Sequence, residues 1–380
     1  MNSFPKFYFC ILKVYNFYMK IGVPKEIKNN EFRVGLTPQS VSELIKNNHE
    51  VFIQKDAGTE IGFLDSDYEK AGAAIVDTAE QLYKQSELIV KVKEPIPEEF
   101  CYLNEKHTVF AYLHLAGDPK TGRELASTGI TGIALETVTA DDGTMPLLSP
   151  MSSIAGQLSI VVGSYHLLKP NKGMGTLIGA MDDVERRVVT VIGAGVAGTM
   201  AIEKAINNKA HLKIIDLSQK RLDELREIYG DSNIEYIVSS DSSIEEALKN
   251  SDLVVGAVYV IGKQAPKVVK NFMLQNMKPG AVMVDISIDQ GGCFESSRPT
   301  THDKPTYEHD GIIHYCVTNM PGAVPLTATQ ALNRATLPYI LELANKGVEK
   351  ALKENKHLGN GLNIQNSQIV HEGVKEALSA

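Results

Sequence analysis

The sequence predicts an α/β protein of two doubly wound parallel-sheet units, one inserted into the other, and three observations carry that prediction. Short apolar runs alternate with helical patterns from Lys20 onward, a glycine-rich turn joins one such run to a helix, and a long helical pattern over 151–168 separates two series of strands. At 380 residues the chain is about right for two domains. With 43% hydrophobic and 22% charged residues it can bury a substantial core.

In the first series, strands are expected at 20–23, 51–54, 88–92, 108–114 and 130–135, with a helix over 38–47 that Thr37 caps and Pro38 opens. The second series is expected at 188–192, 211–215, 253–257 and 281–287. A last helical pattern covers roughly 328–354, and HLGNGL, 357–362, reads as a loop. The organisation that follows is one unit made of 19–146 and 326–380, interrupted by a second at 147–325, with the ligand cleft between them.

Residues 1–18, MNSFPKFYFCILKVYNFY, stand apart as an aromatic-rich extension, in which Lys6 and Lys13 interrupt a segment too short to span a bilayer. They read as the product of an upstream start ahead of Met19, a weak membrane-surface anchor being the other reading. No later stretch has the length and apolarity of a transmembrane helix. The net charge of −8, without a basic stripe, argues against a nucleic-acid partner. Cys10, Cys101, Cys293 and Cys316 form no CxxC pair, so neither a zinc knuckle nor a disulfide framework is suggested, and a reducing cytoplasm fits.

The buried strand VVTVI runs straight into Gly193, Gly195 and Gly198 and then a helical pattern, TMAIEKAINN. The first glycine permits a tight turn, the second a close approach of backbone to a pyrophosphate, and the third close packing of helix on strand. Free N–H groups at the helix start add a partial positive charge. Asp216 closes the next strand, HLKIID, where an acid can accept from a ribose 2′-hydroxyl and repel a 2′-phosphate. A glycine turn alone also arises for packing, but strand, turn, helix and acid in order point to a Rossmann-like unit binding NAD rather than NADP. Arg221 complicates that choice, since a nearby Arg can accommodate a 2′-phosphate.

Ligands of open parallel sheets lie beyond the carboxyl ends of the strands. Lys93, His114 and Asp289 stand at such ends, and Arg33 lies in the loop after the first strand. Each has a plainer reading: Lys91 and Lys93 as a solvated pair on one strand face, His114 as a structural imidazole, Arg33 as a surface charge, Asp289 as a cap on the Gly291–Gly292 turn. Together, cations, an imidazole and a carboxylate suit a small carboxylate substrate undergoing proton and hydride transfer. His302, His309 and His314 match no ordinary zinc spacing, so no metal is expected and they read as loop and strand-edge residues.

In order along the chain, GVPKEIKNNEFRVGLTP, VKVKEP, YLHLA, PMSSIAGQLS, IGAGVAGTMA, DISIDQGG, TTHDKPTYEHDGIIHY and NMPGAVP resemble bacterial alanine dehydrogenase, from about Met19 to the C-terminus. The resemblance implies conversion of L-alanine, NAD and water to pyruvate, ammonium and NADH by two Rossmann-like domains, usually assembled as a homohexamer. It implies Arg33 and Lys93 as holders of the substrate carboxylate, His114 as general acid/base and Asp289 as the second catalytic carboxylate. Its cofactor contacts fall on Ser152, the turn Gly193, Gly195 and Gly198, Asp216, Arg221, Val258, Ile286 and Asn319. Tyr259 and Ile261 depart from the family's usual residues, a change expected at the adenosine half of the cofactor, and Leu326 stands where Arg is common. Two other readings remain: a nucleotide-binding subunit similar to that of proton-translocating transhydrogenase, and a silent NAD-binding sensor.

Overall fold

The computed structural model describes residues 18–179, 181, 183–260 and 264–379, so most of the 1–18 extension and Ile261 lie outside the described residues. Strands β1 (Lys20–Val23), β2 (Glu50–Gln54), β3 (Ala74–Val76), β4 (Leu88–Val90), β5 (Thr108–Ala111) and β6 (Thr131–Ala134) come first in the chain. After them run β7 (Val188–Ile192), β8 (His211–Asp216), β9 (Ile234–Val238), β10 (Leu253–Gly256), β11 (Val282–Asp285), β12 (Thr306–His309) and β13 (Ile312–Tyr315). Near the end lie β14 (Leu362–Gln365) and β15 (Gln368–Ile369).

Two sheets result, of order β15-β14-β6-β5-β4-β1-β2-β3 and β12-β13-β11-β10-β7-β8-β9. Read outward from β1 and from β7, both repeat the doubly wound order 3-2-1-4-5-6, with parallel pairing throughout those six strands. The antiparallel additions are β14 and β15 on the first sheet and β12 on the second. The first sheet therefore takes strands from both ends of the chain, and the second lies wholly between them.

Parallel strands covered on both faces should be apolar throughout, and β5 and β10 are buried at every position. The helix Pro38–Lys46 begins as the sequence predicts, Thr37 accepting from the Ser40 N–H with Pro38 behind it. The helix Ser149–His166 links the two units and packs on the helix Val196–Asn207, where a Cβ on Gly156 would lie 2.1 Å from the Ala197 carbonyl oxygen.

Several boundaries differ from the sequence reading. Strands β4, β5 and β11 end at Val90, Ala111 and Asp285, and the residues after them turn away as rims, which frees those residues for the cleft. The C-terminal helical pattern breaks at Gly347, whose φ of 77° ends the helix Pro325–Lys346. HLGNGL is a short helix, Lys356–Gly359, running into β14. Strands β3, β9, β12, β14 and β15 escaped the sequence reading because they are short or sit at sheet margins, where burial imposes no strong pattern; β13 also escaped it, although it is buried at every position.

Candidate active site

The carboxyl ends of the two sheets face a common cleft of about 640 Å³. On the second sheet, Gly193 leaves β7 at φ 93°, and a Cβ there would lie 2.6 Å from the Ala257 carbonyl oxygen. A Cβ on Gly198 would sit 1.8 Å from the Gly193 carbonyl oxygen. Packing alone thus demands the first and third glycines. Gly195 differs: it caps the helix Val196–Asn207, and a Cβ on it would meet nothing within 4 Å. Open space over free helix-start N–H groups is what a pyrophosphate requires, so the turn fits a dinucleotide.

Asp216 ends β8 with one carboxylate oxygen accepting from the Ala194 N–H at 2.8 Å and the other from the Ser218 N–H at 2.9 Å. It is pinned beside the turn. Arg221 donates from Nε to the Ala194 carbonyl at 3.0 Å, from one terminal nitrogen to Thr199 Oγ1 at 2.9 Å and from the other to Glu224 at 3.1 Å. Its guanidinium braces the glycine turn.

The first sheet builds its rim from buried charge. Lys91 is 2% exposed and donates to Glu26 at 3.1 Å and Glu99 at 2.8 Å. Burial works against its charge, but the two carboxylates outweigh it and raise its pKa. The solvated-pair reading of Lys91 and Lys93 is therefore corrected: both are buried, and only Lys93 lines the cleft. Glu26 also accepts from the Val92 N–H at 2.7 Å and the Lys93 N–H at 3.3 Å, fixing the loop that carries Lys93. Lys93 Nζ lies 3.9 Å from Glu94, which also pairs with Lys28. Burial pushes the Glu94 carboxyl up, yet Lys93, His114 and Lys28 together hold it below its ordinary value.

His114 lines the cleft at φ 45°, and its ring stacks on Tyr112 with centroids 5.8 Å apart. Its backbone N–H donates to Glu136 at 2.6 Å. From the second sheet, Asp289 enters on the short helical turn Ile286–Gln290, exposed at the cleft wall. The two rims meet at Gly117, where a Cβ would lie 3.3 Å from the His114 carbonyl oxygen and 3.5 Å from that of Asp289. The plainer reading of Asp289 as a cap fits Asp285 instead, buried at the end of β11, which accepts from the N–H groups of Ser287, Cys293 and Phe294. Burial raises its pKa despite those bonds.

Ser152, Val258, Ile286 and Asn319 line the same cleft; Gly193, Gly195, Gly198, Asp216 and Arg221 form the separate turn beside it. Arg33 stands one layer back. It is 2% exposed, grips Glu31 through two bonds of 2.7 and 2.6 Å, and donates to Asn319 Oδ1 at 2.5 Å. Its remaining terminal nitrogen donates to the Met151 thioether at 3.3 Å, so every guanidinium nitrogen has a partner, and Arg33 is not among the residues that line the cleft. Tyr259 lines the cleft within electrostatic reach of Glu136. Nothing in the structure explains Leu326, 42% exposed in the first turn of its helix.

Of the three clustered histidines, His302 lines the cleft and bonds the Asn319 carbonyl at 3.1 Å. His314 is neither loop nor edge: it lies in β13 between β11 and β12, held by Ile312 O and Ser296 Oγ, and burial holds its pKa down to about 4. Among the described residues no group of three His, Cys, Asp or Glu side chains could hold a metal, and no helix is long and apolar enough to cross a membrane. The sequence reading missed Glu26, Glu31 and Glu136. Glu31 sits two residues before Arg33 and was open to notice; Glu26 and Glu136 act 66 and 22 residues away along the chain, with no local signal.

Family models match both units, the alanine dehydrogenase/PNT N-terminal domain over residues 22–155 and the alanine dehydrogenase/PNT C-terminal domain over 159–372. The chain belongs to the alanine dehydrogenase/PNT family. Within it, the chain is 48% identical over 362 residues to an alanine dehydrogenase of Mycolicibacterium smegmatis, covering 95% of this chain and 97% of the relative. It is 46% identical over 359 residues to one of Halomonas elongata, covering 94% and 96%. A solved L-alanine dehydrogenase superposes with a TM-score of 0.89 at 45% identity, over 95% of this chain and 99% of that one. A family member with a Rossmann-type unit takes a nicotinamide cofactor, which the open space over Gly195 accommodates.

Proposed function

We propose that the chain is an NAD-dependent L-alanine dehydrogenase, interconverting L-alanine with pyruvate and ammonium. The observation that carries the reading is one cleft lined by Lys93 and His114 from the first rim and Asp289 from the second, in a chain so similar to alanine dehydrogenases. In this reading residues 19–146 and 326–380 hold the substrate, residues 147–325 hold the cofactor, and the protein works in the cytoplasm as a homohexamer. Asp216 beside the turn, with Arg221 occupied, supports NAD over NADP.

When bound, the nicotinamide accepts or returns the hydride of the substrate α carbon. Lys93, a buried cation that lines the cleft, holds the substrate carboxylate, with the Arg33 guanidinium one layer back adding positive charge behind it. His114 takes the proton of the attacking water and delivers one to the departing nitrogen. Asp289, facing it from the other rim, balances the cationic charge as the amine forms or leaves.

NADH absorbance tests the reading, with L-alanine and NAD in one direction and with pyruvate, ammonium and NADH in the other. Turnover in both directions is expected. Silence in both with NADH still bound would overturn it, and hydride exchange between two nicotinamides would then be the activity to assay.

A further inference from the structure

We infer that Glu136 is a positioning residue for the reaction, acting through the backbone of His114. A catalytic imidazole is usually aimed by a hydrogen bond to its second nitrogen. Among the described residues the His114 ring has no such bond; it stacks on Tyr112 and lies within electrostatic reach of Glu94. What fixes it is the main chain. After β5 the ladder ends, Tyr112 N–H still donating to Val92 O, and the next two amides have no strand to pair with. Glu136 accepts both: Leu113 N–H at 3.2 Å to each carboxylate oxygen, and His114 N–H at 2.6 Å.

That clasp lies where the chain most needs one. His114 has φ 45°, a left-handed conformation costly for a residue other than glycine, which persists only where surrounding bonds impose it. Glu136 follows directly on β6, the strand beside β5, and lines the cleft itself. The motif repeats at the other rims, Glu26 holding the Val92 and Lys93 amides and Asp285 those after β11, but only Glu136 of the three faces the cleft. A carboxylate accepting from two amides sets the direction in which the following side chain leaves the rim.

The kinetic arm of the test rests on the alanine reading. In Glu136→Ala, kcat for alanine should fall about 100-fold, the penalty of a catalytic group displaced by roughly 1 Å, while NADH affinity and alanine KM change little. Glu136→Gln keeps one carbonyl oxygen for the His114 N–H and should restore activity to within about tenfold. In a His114→Ala background, Glu136→Ala should cost nothing further, because a residue acting through His114 has nothing left to position. An equal loss in that background, or a loss confined to KM, would overturn the inference. Hydrogen exchange over residues 112–117, followed by mass spectrometry, decides without turnover: the amides of 113 and 114 should lose protection in Glu136→Ala and keep it in Glu136→Gln. Unchanged protection in Glu136→Ala would overturn the proposal even if alanine proved not to be the substrate.

Discussion

The two rims of the cleft solve the same problem with different materials. At the second sheet, Asp289 apart, the proposed site is made of backbone: Gly193 and Gly198 have no room for a side chain, and Gly195 keeps an open space above a helix start. At the first sheet it is made of side chains, Lys93 and His114, whose loops are pinned by carboxylates from elsewhere in the chain. A site made of backbone depends on conformations only particular residues adopt, so it is written locally. A site made of clasped side chains depends on partners brought in by folding.

The sharpest way to break this comparison is at Lys91. If the first rim is an ion cluster, Lys91→Met strands Glu26 and Glu99 as buried, unpaired carboxylates and should cost about 3–5 kcal/mol of unfolding free energy in denaturant titrations. Lys93→Met breaks a single contact of 3.9 Å where Lys91→Met breaks two shorter ones, so it should cost clearly less stability while raising the KM for pyruvate. Equal stability losses in the two would mean the rim is not organised around Lys91.

Next in size comes the glycine turn. Gly198→Ala drives a methyl into the Gly193 carbonyl and should lower both melting temperature and NADH affinity. Gly195→Ala meets no protein atom, so its melting temperature should hold while NADH binding weakens by about tenfold or more. A Gly195→Ala protein that binds NADH normally would show that no pyrophosphate rests there.

The smallest effect concerns how each sheet buries polarity. Where the first buries paired ions, the second buries a neutral imidazole, His314, held at about 4 against an ordinary 6.5. Below pH 6.5 the unfolded chain takes up a proton that the folded one refuses, so stability falls as pH drops from 6.5 toward 4. Unfolding free energies measured across that window should slope less in His314→Asn than in the parent chain. An unchanged slope would place the proton-linked loss on groups other than His314.

The doubly wound architecture, the glycine turn, the acid at Asp216 and the strand-end positions of Lys93, His114 and Asp289 are all readable in the chain. Each is legible because its cause is local: apolar runs that must be covered on both faces, φ values that favour glycine, and the polar residue that ends an apolar strand. Packing between distant segments is what puts Lys91 in a buried cluster, gives Arg33 largely to Glu31, sets Arg221 against the turn and brings Glu136 to the loop of His114. A buried charge is stable only beside its partner, and the choice of partner is made by the packing of strands and helices distant in the chain, which no local pattern records.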